Sequence, residues 1–150
     1  MTTQTPDTSK LNAPDLVKTY PRSPNEHLGF YVLLPRIIDK CRATLAGSNG
    51  EYNYNCPLDQ RFFGFTGIDA EAFKAEVAKG SDDKALLSWV QQHSNVKNDE
   101  QIKAWSYAER WRRPAPEMAH YFESMRLDFA PDNYRIETWF QLLDADEKRF

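Results

Sequence analysis

The densest group of side chains able to bind or react lies in one polar segment, Gly47–Gln60. Its hydrogen-bonding, aromatic and charged residues include Glu51, Tyr52, Tyr54, Asn55, Cys56, Asp59 and Gln60. Pro57 is typical of the first position of a helix, and the free N–H groups of a helix N-terminus can receive an anion. Arg36, Lys40 and Arg42 could complete an anion site if the segment folds back over them. We therefore predict that the Gly47–Gln60 loop of a non-enzymatic binding module recognises a small anionic ligand or a protein partner.

The same loop allows two other interpretations. Glu51 and Asp59 could form a general acid/base pair, because two carboxyl groups in different environments can hold different pKa values. Cys56 directly precedes the predicted helix start, which could stabilise its thiolate, although Asp59 one turn later opposes this. A small enzyme using Glu51, Cys56 or Asp59 is therefore the alternative function. In the structural interpretation, the loop is an ordinary turn, its tyrosines pack on the core and Asp59 caps a helix.

Other chemically capable residues are weaker candidates. The basic cluster Arg110–Arg113 could bind phosphate or stack a base against Trp111. We prefer a simpler interpretation, in which a helix C-terminus favours the cations and Trp111 is buried. The three histidines, His27, His93 and His120, follow no metal-ligand spacing. We therefore predict neither a metal site nor a cofactor.

Charge and composition narrow the classes of partner. A net charge of -3 offers no general attraction to phosphate backbones, so a nucleic acid is not an expected partner. The longest apolar run, Phe30–Leu34, is far too short to cross a bilayer, and the polar N-terminus lacks the features of a signal peptide. Cys41 and Cys56 are too few for a disulfide framework. We expect a cytoplasmic protein without a membrane partner.

The elements that must position these side chains are helices. Apolar residues at helical spacing form one buried stripe over Leu34–Ala46, and Gly47 is typical of the position after a helix end. The polar residues that lie away from this stripe are Arg36, Asp39, Lys40 and Arg42. Pro57 begins a second, short helix. Further capping and periodicity signals predict helices beginning near Asp69, Ser81 and Asn98, and around Met118–Phe129 and Ile136–Leu143.

These signals predict an all-α fold: a compact orthogonal domain of about six or seven helices, with the polar loop between the first two. Residues 1–13 are rich in Thr, Ser and Asp and are predicted to be a flexible tail, whereas residues 14–150 form a single domain. Only Glu51–Asn55 approaches a strand-like pattern. With 41% hydrophobic and 13% aromatic residues, the chain can bury its own core. Its aromatic surface also allows a homodimer, which is the third functional hypothesis.

Several short motifs resemble one bacterial family. They are RSP at 22–24, LPR at 34–36, DKCRA at 39–43, GSNGEYNYNCPLDQ at 47–60 and ETWFQLLD at 137–144. The family consists of small bacterial proteins catalogued only as a domain of unknown function. The similarity spans about residues 14–147. It implies a bacterial, cytosolic, stand-alone domain, and it transfers no catalytic residue.

Overall fold

The fold is predominantly α-helical, as the sequence predicts. The structure is a computed structural model that describes residues 9–149. The helices of this range are α1 (Leu34–Ala46), α2 (Pro57–Thr66), α3 (Ala70–Ala78), α4 (Asp83–His93), α5 (Asp99–Arg110), α6 (Ala119–Phe129) and α7 (Trp139–Asp146). The polar loop joins α1 to α2, as predicted. None of these described helices is long and apolar enough to cross a membrane.

Helix α1 is the buried axis of the domain. Its apolar stripe packs as predicted, with Ile37, Ile38 and Cys41 inaccessible to solvent. Its polar residues lie away from that stripe, but Arg36, Lys40 and Arg42 are buried as well. They can be buried because segments distant in sequence supply a carboxylate to each of these cations. Helix α1 is therefore enclosed on both its apolar and its polar face.

The main core is aromatic. Phe62 and Phe63 of α2 meet edge to face at 5.4 Å between ring centroids, and Phe63 meets Phe73 of α3 at 5.7 Å. Tyr31 contacts Phe62 in the same way at 5.4 Å. Edge-to-face pairs contribute about 0.5–1.5 kcal/mol each beyond the area they bury. These rings join α2, the helix that follows the loop, to α3 and to the segment that precedes α1.

A small hairpin precedes α1. Strands β1 (His27–Leu28) and β2 (Tyr31–Val32) pair in antiparallel register. The extended piece expected at Glu51–Asn55 is absent from the described residues, where this stretch is turn and coil. Two-residue strands are too short to show an alternating pattern in the sequence. They are held instead by packing, since Tyr31 and Val32 are almost completely buried.

Helices α6 and α7 build a second, smaller apolar cluster. It contains the buried side chains Phe122, Ile136, Leu142 and Ala145. Helix α7 begins with a complete capping box, in which the Thr138 hydroxyl accepts from Gln141 N and the Gln141 side chain accepts from Thr138 N, both at 3.1 Å. The cluster leaves a groove between α2, the start of α6 and α7.

The predicted N-terminal tail, residues 1–13, lies largely outside the described residues. Within the described part, Ser9–Leu11 form one turn of 3-10 helix and Leu11 is buried. Further along, Leu16 N donates to Ser48 O at 2.8 Å and the Ser48 hydroxyl donates to Pro14 O at 2.9 Å. The proline-containing segment before the hairpin therefore lies against the start of the loop.

Candidate functional site

The Gly47–Gln60 loop folds back onto α1, as the anion-site hypothesis requires. Gly47 ends α1 with φ 73°, and its N–H bonds back to the last turn. Gly50 passes so close to the N-terminal segment that a Cβ atom there would lie 2.9 Å from Leu16 O. Only glycine allows this approach without a backbone shift. The loop is therefore fixed by backbone contacts at its first half.

Lys40 meets the second half of the loop in a buried ion pair. Its ammonium lies 2.8 Å from Asp59 Oδ1, and the side chains are 4% and 0% exposed. It also donates to Asn53 O and to Cys56 Sγ, both at 3.3 Å. Asn55 N donates to the second oxygen of Asp59 at 2.9 Å. Asp59 is therefore the buried counterion of Lys40 as well as a first-turn residue of α2.

Arg36 forms a second buried ion pair, with Glu147. Two parallel hydrogen bonds of 2.8 and 2.7 Å join the guanidinium to the carboxylate, and the side chains are 4% and 1% exposed. Tyr52 Oη donates to the same carboxylate at 2.8 Å, and Arg149 also pairs with it. The C-terminal segment is thereby attached to the loop and to α1. Sequence reasoning missed Glu147, because nothing in the charged tail indicated which acid would turn inward.

This arrangement predicts a specific acid sensitivity. Burial alone would raise the pKa of Glu147, but Arg36, Tyr52 and Arg149 hold it below its ordinary value of 4.5. A lowered folded-state pKa stabilises the protein above the unfolded-state pKa, and this stabilisation is lost as the pH falls through the folded-state value. We expect the free energy of unfolding of the wild type, measured by urea denaturation, to decrease progressively below about pH 4.5.

The Glu147→Gln variant provides the control for that titration. It should be less stable at neutral pH, and its stability should depend less on pH in the acidic range than that of the wild type. Equal acid slopes for the two proteins would show that Glu147 does not contribute to the acid transition.

The other predicted loop residues divide between internal contacts and solvent. Tyr54 Oη donates to Ala70 O at 2.6 Å, and burial raises the pKa of its hydroxyl. Gln60 Nε2 donates to Asn55 O at 3.1 Å. Cys56 is half-buried. Glu51 is exposed on the edge of a shallow groove beside Leu16–Tyr20.

The loop thus gathers its predicted residues, but it bonds most of them to one another or to the core. A small anion at Arg36 or Lys40 would have to displace a buried carboxylate and restore every hydrogen bond that this carboxylate accepts. The catalytic hypothesis for Glu51, Cys56 and Asp59 stays a prediction. Among the described residues, no three His, Cys, Asp or Glu side chains are grouped as metal ligands.

An open groove begins where the loop ends. It has a volume of about 520 Å³, which lies within the range of small-molecule sites. Its lining residues come from α2, from the segment between α5 and α6, from α6 and from α7: Pro57, Leu58, Arg61, Arg112, Met118, Tyr121, Trp139 and Leu143. Apolar side chains predominate, and the only charged ones are the two arginines.

The two arginines share a single carboxylate. Arg61 makes two hydrogen bonds of 2.8 Å to Glu109, whose side chain is 4% exposed. Arg112 Nε lies 3.6 Å from Glu109, which is too long for a hydrogen bond, and this buried nitrogen has no hydrogen-bond partner in the described range 9–149. The Arg112 guanidinium lies 5.9 Å from the centre of the Trp139 ring. Burial and the neighbouring Arg61 charge lower the pKa of Arg112. The groove edge therefore carries an excess positive charge.

The basic cluster Arg110–Arg113 consequently differs from its sequence interpretation. Trp111 was expected to be buried, but it is half exposed, because α5 ends at Arg110 and the chain turns away toward Pro114. Arg112 turns into the groove instead. Sequence reasoning missed the groove because its residues come from separate stretches of the chain. The loop motif, the basic cluster and the ETWFQLLD motif each supplied part of the groove, but nothing in the sequence indicated that they meet.

No curated protein matches the sequence. A family model described as a domain of unknown function (DUF5069) matches residues 18–149, which include the hairpin, the loop, the groove and all seven helices. The chain therefore belongs to the DUF5069 family.

Proposed function

We propose that this protein is a non-enzymatic binding module that holds a small anionic ligand with an apolar body in the groove between α2, α6 and α7. The observation that carries the proposal is Arg112. Its guanidinium makes no hydrogen bond to any described residue, and its nearest carboxylate is that of Glu109, 3.6 Å from Nε. An anion arriving there would share the guanidinium with Glu109 and would break no hydrogen bond that Arg112 donates.

The chemistry of the groove suggests the ligand class. A guanidinium presents N–H donors in a planar fork that matches a carboxylate or a phosphate. Trp139, Tyr121 and Met118 offer apolar surface next to it, and the last two are exposed to solvent. Burying such surface contributes about 25 cal/mol per Å². A ligand that joins an aromatic or aliphatic body to one anionic group would use both features.

The loop has a positioning role in this proposal. The Lys40–Asp59 pair fixes the first turn of α2, where Pro57 and Leu58 form one wall of the groove. The contacts within the loop would then hold this wall of the groove in position. We also propose that the protein resides in the cytoplasm of a bacterium.

The test compares two amphipathic probes by isothermal titration calorimetry. Naphthalene-2-carboxylate should bind more tightly than the neutral naphthalene-2-methanol. Arg112→Met should lower the affinity for the carboxylate probe about tenfold or more, because a hydrogen bond to a charged group contributes about 1.5–3 kcal/mol. It should leave the neutral probe almost unchanged.

The matched control is Arg113→Met. Arg113 is exposed and pairs with Glu137, and it does not line the groove. Equal affinity of the wild type for the two probes would contradict the proposal. An equal loss in the Arg112 and Arg113 variants would also contradict it.

A homodimer is the second candidate, and one observation favours it. Four large apolar side chains are exposed on and beside α6: Met118, Tyr121, Leu127 and Tyr134. A stable dimer would have to bury about 1,200 Å² or more in total. Sedimentation at increasing protein concentration, with and without Leu127→Glu, would detect it. A monomer at every concentration would contradict the homodimer, and the groove would then remain accessible to a ligand.

A further inference from the structure

We propose that the outer face of α5, together with the β1–β2 hairpin, docks an acidic peptide segment of a partner protein that also carries an apolar side chain. The surface lies around an open groove of about 310 Å³. Its lining residues are His27, Gly29, Phe30, Val32, Lys103, Ser106, Tyr107 and Arg110. We call this the hairpin groove. It shares no lining residue with the groove of Arg112.

The charges of the hairpin groove favour an acidic partner. Lys103 and Arg110 line it, and no carboxylate does. Arg110 donates only to the backbone oxygen of Asn25, at 3.3 Å, and forms no ion pair within the described part of the chain. Lys103 pairs with Glu100 at 3.2 Å, but Glu100 is highly exposed, and such pairs contribute little. An incoming carboxylate would therefore meet cations that are not already neutralised by buried acids.

Exposed aromatic rings lie beside these cations. Tyr107 is 68% exposed, Trp111 is 53% exposed and their ring centroids are 6.5 Å apart. The Lys103 ammonium lies 4.6 Å from the centre of the Phe30 ring. Side chains three or four positions apart lie on one face of a helix, so the outer face of α5 alternates cationic and aromatic groups. Aromatic residues and arginine are enriched in protein interfaces.

Two hydrogen bonds join the backbone of the hairpin to the helix side of the groove. The Ser106 hydroxyl of α5 accepts from Val32 N at 3.1 Å and donates to Phe30 O at 2.5 Å. These two bonds join the hairpin to the helix. Association is more favourable when a surface has little side-chain and loop freedom left to lose. The backbone of Phe30 is therefore held against α5, the helix that carries Tyr107 on the other side of the groove.

The same observations argue against other occupants. A nucleic acid is bound by extended basic surface that neutralises several phosphates, whereas the hairpin groove offers two permanent cations on a chain of net charge -3. A second copy would bring the same net negative charge and the same cations to the interface. A volume of about 310 Å³ is at the lower end for small-molecule sites. An extended acidic segment that inserts one apolar side chain fits both the volume and the charge.

The experiment uses the full chain and an acetylated peptide of sequence Glu-Asp-Glu-Leu-Trp-Glu-Asp-Glu. Backbone amide shifts in NMR titrations should change for the hairpin and the outer face of α5. Tyr107→Ala and Arg110→Glu should each lower the affinity for the peptide about tenfold. The matched controls Tyr134→Ala and Arg113→Glu change an exposed tyrosine and an exposed arginine elsewhere on the surface. These two variants should bind the peptide as the wild type does.

Two further probes complete the test. Replacing the acidic residues of the peptide by lysine, or its Leu-Trp pair by two serines, should abolish binding. The proposal is overturned if the acidic peptide does not bind at millimolar concentration, or if its shifts map to another surface. It is also overturned if oligothymidine binds this face more tightly, or if the face is covered by concentration-dependent self-association. Because the variants leave Arg112 intact, failure here does not affect the groove of Arg112.

Discussion

Glu147→Ala is expected to lower the free energy of unfolding by about 3–5 kcal/mol, which is the usual loss when one partner of a buried ion pair is removed. The reason is the Arg36 guanidinium, which would stay buried without the carboxylate that accepts two of its hydrogen bonds. Tyr52 would lose its acceptor as well. Urea denaturation at neutral pH measures the effect.

A control and a rescue separate this effect from the loss of any surface charge. Glu137→Ala removes a carboxylate from the exposed pair with Arg113 and should change stability by no more than about 1 kcal/mol. The double variant Arg36→Met, Glu147→Leu should recover part of the loss, because an apolar pair of similar size needs no buried counterion. A loss below about 1 kcal/mol for Glu147→Ala would show that the pair is not buried as described.

Lys40→Met is the second large expected effect, again about 3–5 kcal/mol of stability. It leaves the Asp59 carboxylate completely buried with only the Asn55 N–H as a partner among the residues that the structure describes. The loop should also open, because Lys40 is the group that joins Asn53, Cys56 and Asp59. Thermal unfolding measures the loss of stability.

The rate of modification by a thiol reagent measures the opening of the loop. Cys56 should react faster in Lys40→Met than in the wild type. Cys41 is an internal reference, because it is fully buried and burial raises its pKa to about 12. Lys79→Met, at an exposed ion pair with Glu76, should change neither stability nor reactivity. An unchanged Cys56 rate in Lys40→Met would show that the loop is held without the ion pair.

Local signals predicted the helices well because their causes are local. The stripe of α1, Pro57 at the start of α2 and the Asp69 cap of α3 all act within one or two turns of the chain. The hairpin escaped prediction because its two-residue strands are held by packing and by Ser106, which is distant in sequence. The start of α4 moved by one residue, from a predicted Ser81 cap to Asp82.

The fate of the Gly47–Gln60 loop could not be read from the sequence. The segment contains polar groups suited to a ligand, and the same groups are suited to internal partners. In the folded protein these groups have internal partners, because Glu147 and Asp59 neutralise Arg36 and Lys40 inside the domain. Burying a cation without such a partner is strongly unfavourable, so the position of the acids decides which cations stay available.

The sequence by itself determined the helical class, the position of the loop between the first two helices and the family. Those features follow from periodicity, caps and motifs, which depend on neighbouring residues. Only the tertiary structure decided which polar side chains are satisfied. It turned Arg36 and Lys40 inward to buried carboxylates, and it left Arg112 beside Trp139 without a hydrogen-bond partner among the described residues. Ion pairing and burial depend on residues far apart in the chain, and their pairing is set by how the helices pack.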